Sequence, residues 1–153
     1  MKASPIQLNK FLQKQDTQFV IPIYQRNYDW GEEHCKQLFE DIMEVGKSAR
    51  NESRVHFIGS IVYVCNDEYT TDEIEQYVVI DGQQRITTIT LLLTALYHFY
   101  RDMGNIRMSD TILEYYLVNK NADDDEFKVK LKATEKMDML LGYSQNLQCM
   151  RRI

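Results

Sequence analysis

Two prolines and six glycines in 153 residues leave no stretch that reads as a linker, and there is no internal repeat or low-complexity segment. Cysteine is scarce as well. Cys35, Cys65 and Cys149 are an odd, scattered set without a CxxC or a His-x-x-His, which argues against a zinc site and against a disulfide framework. Long apolar runs are missing. The longest uncharged one, Ile86 to Tyr100, has 15 residues, is interrupted by threonines and falls short of the ~20 that a membrane span needs. The start, MKASPIQLNKFLQ, has no apolar core and is not a secretory signal. These absences place the chain, as an expectation, in a reducing cytoplasm. Positive charge is short too. A net charge of −5 does not suit holding nucleic acid by overall electrostatics, although a local basic patch stays open.

What is present suffices for one ordinary domain with a real core: 44% hydrophobic and 11% aromatic residues. Ile6 to Leu12 reads as a short helix, and FVIPIYQRNYDW (Phe19 to Trp30) starts as a strand in which Pro22, lacking a donor, suits an edge or a strand end. Apolar spacing predicts an amphipathic helix from Glu32 to Arg50 and a β-branched strand from His56 to Cys65. Gly59 inside that strand signals a bulge or a close backbone approach. After an acidic loop, YVVI (Tyr77 to Ile80) is its expected hairpin partner. A helix from about Gln83 to Tyr100 follows, apolar nearly all round and therefore expected to be buried. Met103 to Arg107 reads as a loop. Ser109 or Asp110 would cap a helix to about Asn119, and FKVKLKA (Phe127 to Ala133) alternates like a half-exposed strand. A last helix is expected over Thr134 to Leu141. The sum is a mixed α/β (α+β) chain. The division expected is a main domain over residues 1–120 and the start of a mostly helical segment over 121–153, within what reads as a piece of a longer protein.

One polar cluster stands between two apolar segments: Asp81-Gly82-Gln83-Gln84-Arg85, in VVIDGQQRITT. It falls where a strand ends and a helix begins. Helix N-termini carry unpaired N–H groups and a positive dipole end, so they attract anions. Gly82 would let a ligand reach the backbone, Arg85 would fork onto phosphate oxygens, and the glutamines would bond a phosphate, sugar or base. Asp81 suits a metal-bound water, a general base or a ribose hydroxyl. A plainer reading has a small edge from the residues alone: Asp81 caps the helix, Arg85 pairs with a surface carboxylate, and the glutamines are solvated. Against it, a cationic residue in the first helical turn opposes the dipole, which a nearby anion would explain. A second cluster, Tyr24, Gln25, Arg26, Tyr28 and Trp30, is either a packed aromatic corner or a second wall of a ligand site. In the second case Arg26 meets phosphate and a Tyr or Trp stacks on a base. The isolated His34, His56 and His98, the Glu40–Asp41–Glu44 face and the acidic run 123–126 read as structural or solvated.

The stretches IPIYQRNYDW, HFIGSIVYV and YVVIDGQQRITTITLLLTAL resemble, in order, the N-terminal ParB/sulfiredoxin-like domain of GmrSD-type, modification-dependent restriction proteins. The DGQQR core with its following threonine carries most of that resemblance. It implies a small mixed sheet with flanking helices that binds, and hydrolyses, a nucleoside triphosphate, with Mg²⁺, to regulate cleavage of modified phage DNA. Carried onto this chain, Asp81, Gln84 and Arg85 are the expected hydrolysis residues. Tyr24, Gln25, Arg26, Gly82, Gln83, Gln84, Arg85 and Thr87 are the expected nucleotide contacts. No resident metal site in the protein itself is expected. Such proteins usually add an HNH-type nuclease domain; these residues show no His-Asn-His constellation, so that cleavage is not expected of this chain. DNA would be reached through the full-length protein, and self-association is left open. The alternative is a ParB-like module that contacts DNA without nucleotide chemistry; direct nuclease action by this domain comes last.

Overall fold

The structure is a computed structural model that describes residues 4–25, 27–48, 57–65, 74–122 and 128–132. A four-stranded mixed sheet lies at its centre, in the order β2-β3-β1-β4, with β1 Thr17–Val20, β2 Val62–Cys65, β3 Glu75–Asp81 and β4 Leu131–Lys132. The strand β1 runs parallel to both β3 and β4, while β2 and β3 form the expected antiparallel pair, with a register shift at Val62/Tyr63. Helices flank it: α1 Leu8–Leu12, α2 Glu32–Ser48, α3 Gln83–Asp102 and α4 Ile106–Ile112. The fold is thus α+β.

The period-2 logic of a strand covered on one face decides which residues of β3 are inside. Tyr77 and Val79 are buried, whereas Ile80 is 44% exposed. Their face, with Phe19, Leu131 and residues of α1, α2 and α3, forms the main core. Aromatic rings dominate it. Phe11 and Phe19 approach to 4.9 Å, Phe19 meets Tyr77 edge-on at 5.9 Å, and Tyr63 stacks on Tyr77 at 4.4 Å.

Several expectations need correction. The long helix α3 is present but is not buried all round. Its first half is inside (Gln83, Gln84, and Ile86 to Thr90), while Leu96 and Phe99 are exposed at 37% and 55%. Threonines fit inside because Thr88 and Thr90 return their hydroxyls to the carbonyls of Gln84 and Ile86, each at 2.8 Å. The second half packs instead on α4 and the turn that follows it, through Tyr97, Ile112 and Leu117. That helix starts inside the expected loop. Asn105, not Ser109 or Asp110, caps it, with Oδ1 accepting from the Met108 N–H at 3.2 Å; Ser109 is fully buried. A π-helical turn, Leu113–Leu117, completes it.

The strand β2 is shorter than expected because Gly59 has a φ of +102°, outside any strand geometry. The segment around β4 is shorter too, and its basic residues do not all face solvent. Lys130 is 2% exposed and donates to the carbonyls of Leu12, Lys14 and Tyr115 at 3.0, 2.9 and 2.9 Å. Past the boundary expected at 120, Leu131–Lys132 pair with β1 in this same sheet, and Val129 and Leu131 pack in its core. The expected helix Thr134–Leu141, His56, Arg26 and the acidic run 123–126 lie outside the described residues, as does most of the acidic loop expected at 66–76, whose last residues Glu75 and Gln76 instead open β3. Among the described residues no helix is long and apolar enough to cross a membrane.

Candidate functional site

The C-terminal end of β3 turns into α3 through Gly82, whose φ of +90° only glycine adopts without strain. Gly82 is also the helix cap position, and no side chain caps α3. Asp81 therefore does not hold the role that the plainer reading gave it. The hydrogen that a side chain would replace at Gly82 is not open to a ligand. It faces Ser60 and Ile61, where an added Cβ would lie 3.0 Å from the Ser60 carbonyl oxygen and 3.1 Å from Ile61 Cγ1.

The two polar clusters meet through Gln25 and Gln84. Gln25, in the turn after β1, donates from Nε2 to the carbonyls of Val79 and Ile80, both at 3.0 Å. Gln84 returns the contact: Oε1 accepts from the Asp29 N–H at 2.9 Å, and Nε2 donates to the Asn27 carbonyl at 3.1 Å. Each glutamine thus ties its own segment to the backbone of the other. Tyr28 adds a third tie, with its hydroxyl 2.9 Å from Thr88 Oγ1 and 3.3 Å from Cys35 Sγ. Burial pushes the Tyr28 phenol above its usual 10.0, and the Cys35 contact adds to the rise.

Between the stitched segments lies a cleft of about 360 Å³, lined by Gln25, Trp30, Ile80 and the whole run Asp81–Arg85. Arg85 reaches sideways over the segment before β2 and donates from Nη1 to the Ser60 carbonyl at 2.8 Å. Among the described residues it forms no ion pair, so the surface-carboxylate partner of the plainer reading is not found there. Trp30 stands as a side wall, its ring stacked on His34 at 5.7 Å. The first turn of α3, Gln83 to Arg85, lies along the same lining, at the positive end of the helix dipole.

The expected site residues fall into three groups. Gln25 and Asp81 to Arg85 gather at the cleft. Tyr24 does not line it and is 79% exposed in the turn after β1; Thr87 is fully buried in α3. Arg26 lies outside the described residues. The sequence reading passed over Trp30 and Ile80 as contacts, although Trp30 belonged to the second cluster and its stacking role was weighed. It also missed the Gly59–Ser60 segment as the support behind Gly82 and Arg85, for which a glycine in a β-branched run was the available signal. Asp81 is the acid of the lining, and among the described residues no group of three or more His, Cys, Asp or Glu gathers.

Strand, glycine turn and helix N-terminus frame a polar cleft in an α+β domain. Residues 8–149 match the family described as GmrSD restriction endonuclease, N-terminal domain, and the chain belongs to that family. No curated protein matches it.

Proposed function

We propose that the domain binds a nucleoside triphosphate in the cleft at the start of α3 and hydrolyses it, as the regulatory part of a modification-dependent restriction endonuclease that acts on phage DNA. The observation that carries this reading is the coincidence, in one cleft, of a 20-residue helix's N-terminus, the Arg85 guanidinium and an aromatic wall at Trp30. The dipole end and Arg85 suit the phosphates, and Trp30 suits the base. Asp81, on the cleft lining, is the residue we assign to hold a water, directly or through a nucleotide-bound Mg²⁺. A single carboxylate fits that ion, which keeps most of its shell as water and phosphate oxygen. Gln25 and Gln84 spend their amides on backbone groups. Their part is to hold the two walls together, which changes the role of Gln84 from reacting group to positioning group.

The test is titration with fluorescent nucleoside triphosphates and Mg²⁺, followed by phosphate release. Arg85→Ala should weaken binding by about 10- to 100-fold, corresponding to roughly 1.4–3 kcal/mol. Asp81→Asn should keep binding and lose turnover. A parent protein that binds no nucleotide at millimolar concentration would sink the proposal. Retention of DNA on filters, falling steeply with salt, would favour the ParB-like module in its place.

A further inference from the structure

Arg85 can serve the cleft only if its side chain is held at the rim, and the structure shows what holds it. Gly59 precedes β2, outside both polar clusters, and has a φ of +102°. A Cβ built there would lie 2.8 Å from Arg85 Cζ, 2.8 Å from Nε and 3.2 Å from Nη2. The guanidinium therefore occupies the space that any side chain at position 59 would need. The next residue supplies the bond, since the Ser60 carbonyl accepts from Arg85 Nη1 at 2.8 Å. That same carbonyl rests against Gly82, 3.0 Å from where its Cβ would be.

Two glycines 23 positions apart thus form a reciprocal interlock. Gly82 makes room for the Ser60–Ile61 backbone, and Gly59 makes room for the Arg85 side chain. The charge and its seat come from different segments: α3 carries the guanidinium, and the segment before β2 fixes where it points. We infer that Gly59 is a positioning residue for the cleft, acting through Arg85, and that the segment 59–61 backs the lining residues Gly82 and Arg85 from outside the cleft. This rests on the reading of the cleft as a triphosphate site. For a bound triphosphate the consequence is a pre-placed cation, whose side-chain freedom is spent in folding and not at binding.

The test separates position 59 from the fold in general. The variants are Gly59→Ala and Gly59→Asn, the second because asparagine tolerates positive φ better while carrying the same Cβ. Each is combined with Arg85→Ala and with Arg85→Lys, since a lysine lacks the guanidinium atoms that the Cβ meets. Fluorescent ATP with Mg²⁺ is the binding probe, and the Arg85 Nε–H resonance, assigned by its loss in Arg85→Lys, is the nucleotide-free probe. In the parent background a Cβ at 59 should weaken ATP binding about tenfold and shift the Arg85 resonance toward its value in unfolded chains. In the Arg85→Ala background it should change affinity by less than about twofold. Equal losses in both backgrounds, with the Arg85 resonance unmoved, would overturn the inference. If the parent binds no ATP, the nucleotide reading fails by itself, and the resonance still decides whether Gly59 seats Arg85. Where Gly59→Ala does not fold alone, recovery of folding on adding Arg85→Lys supports the seat, and failure to recover counts against it.

Discussion

The two ends of the parallel pair β1–β3 both gather polar side chains, and they do opposite things with them. At the N-terminal end, Lys14 bonds the Tyr77 hydroxyl and lies 3.5 Å from Glu75, while Tyr77 donates to Glu75 at 3.0 Å. Nearby Lys130 is buried and spends its ammonium on three backbone carbonyls. At the C-terminal end, Arg85 also bonds a backbone carbonyl, but it lines a cleft of about 360 Å³. Both cations have partners. What separates a structural cation from a candidate site is the open volume beside it and the helix N-terminus that shares that volume.

The largest test of this contrast is at the closed end. Lys130→Met removes the donor of three carbonyls and should cost about 3 kcal/mol in urea denaturation, with nucleotide affinity of the folded fraction unchanged. A loss below about 1 kcal/mol would mean that this end is not held together as described. Arg85→Ala should invert the pattern: stability changes by less than about 1 kcal/mol, because the bond it makes is exposed, while affinity falls about 10- to 100-fold. Gln84→Ala lies between. It breaks the ties to Asn27 and Asp29 and should cost about 1–2 kcal/mol, with a weaker grip on ligand as the wall loosens. Gln84→Glu keeps an acceptor for Asp29 and loses the donor to Asn27, so it should fall short of the alanine variant in denaturation.

The smallest effect is a pH dependence. Burial pulls the Lys130 ammonium down from 10.5 to about 8, against a weaker opposing pull from Asp16. Between those values the unfolded chain holds a proton that the folded chain has released, so stability rises with pH from about 8 toward 10. Tyr28 and Tyr77, whose phenols burial raises above 10.0, act in the other direction only beyond that pH. Thermal melts at both ends of the window should show a rise of the order of 1 kcal/mol in the parent and none in Lys130→Met. A parent that loses stability across the window would show that burial does not dominate at Lys130.

Where one period governs a segment, the sequence could be read. The β2–β3 pair and the start of α3 at Gln83 follow from β-branched runs, an Asp-Gly turn and a length that no strand fits. The expected residues of the turn did gather at the cleft, and so did Gln25. What stayed hidden depends on partners far along the chain. The pattern around Lys130 reads as an exposed face, and only the carbonyls of α1 and the π-helical turn explain its burial. Thr88 and Thr90 look like polar interruptions, yet helical threonines enter a core once their hydroxyls turn back on the helix. Gly59 announced a close approach without saying to what, because Arg85 is 26 positions away.

The ties of Gln84 to Asn27 and Asp29 span 57 and 55 positions of chain. The cleft consequently has no local precursor: its walls meet only after β1 and β3 have closed a long loop, a step whose entropy must be met before the contacts return anything. Occupancy of the cleft then reports that closure. A molecule bound there draws the equilibrium toward the assembled chain as its concentration exceeds its dissociation constant. On the proposed nucleotide reading, ligand supply and the stability of the folded domain become linked through the one side-chain amide of Gln84.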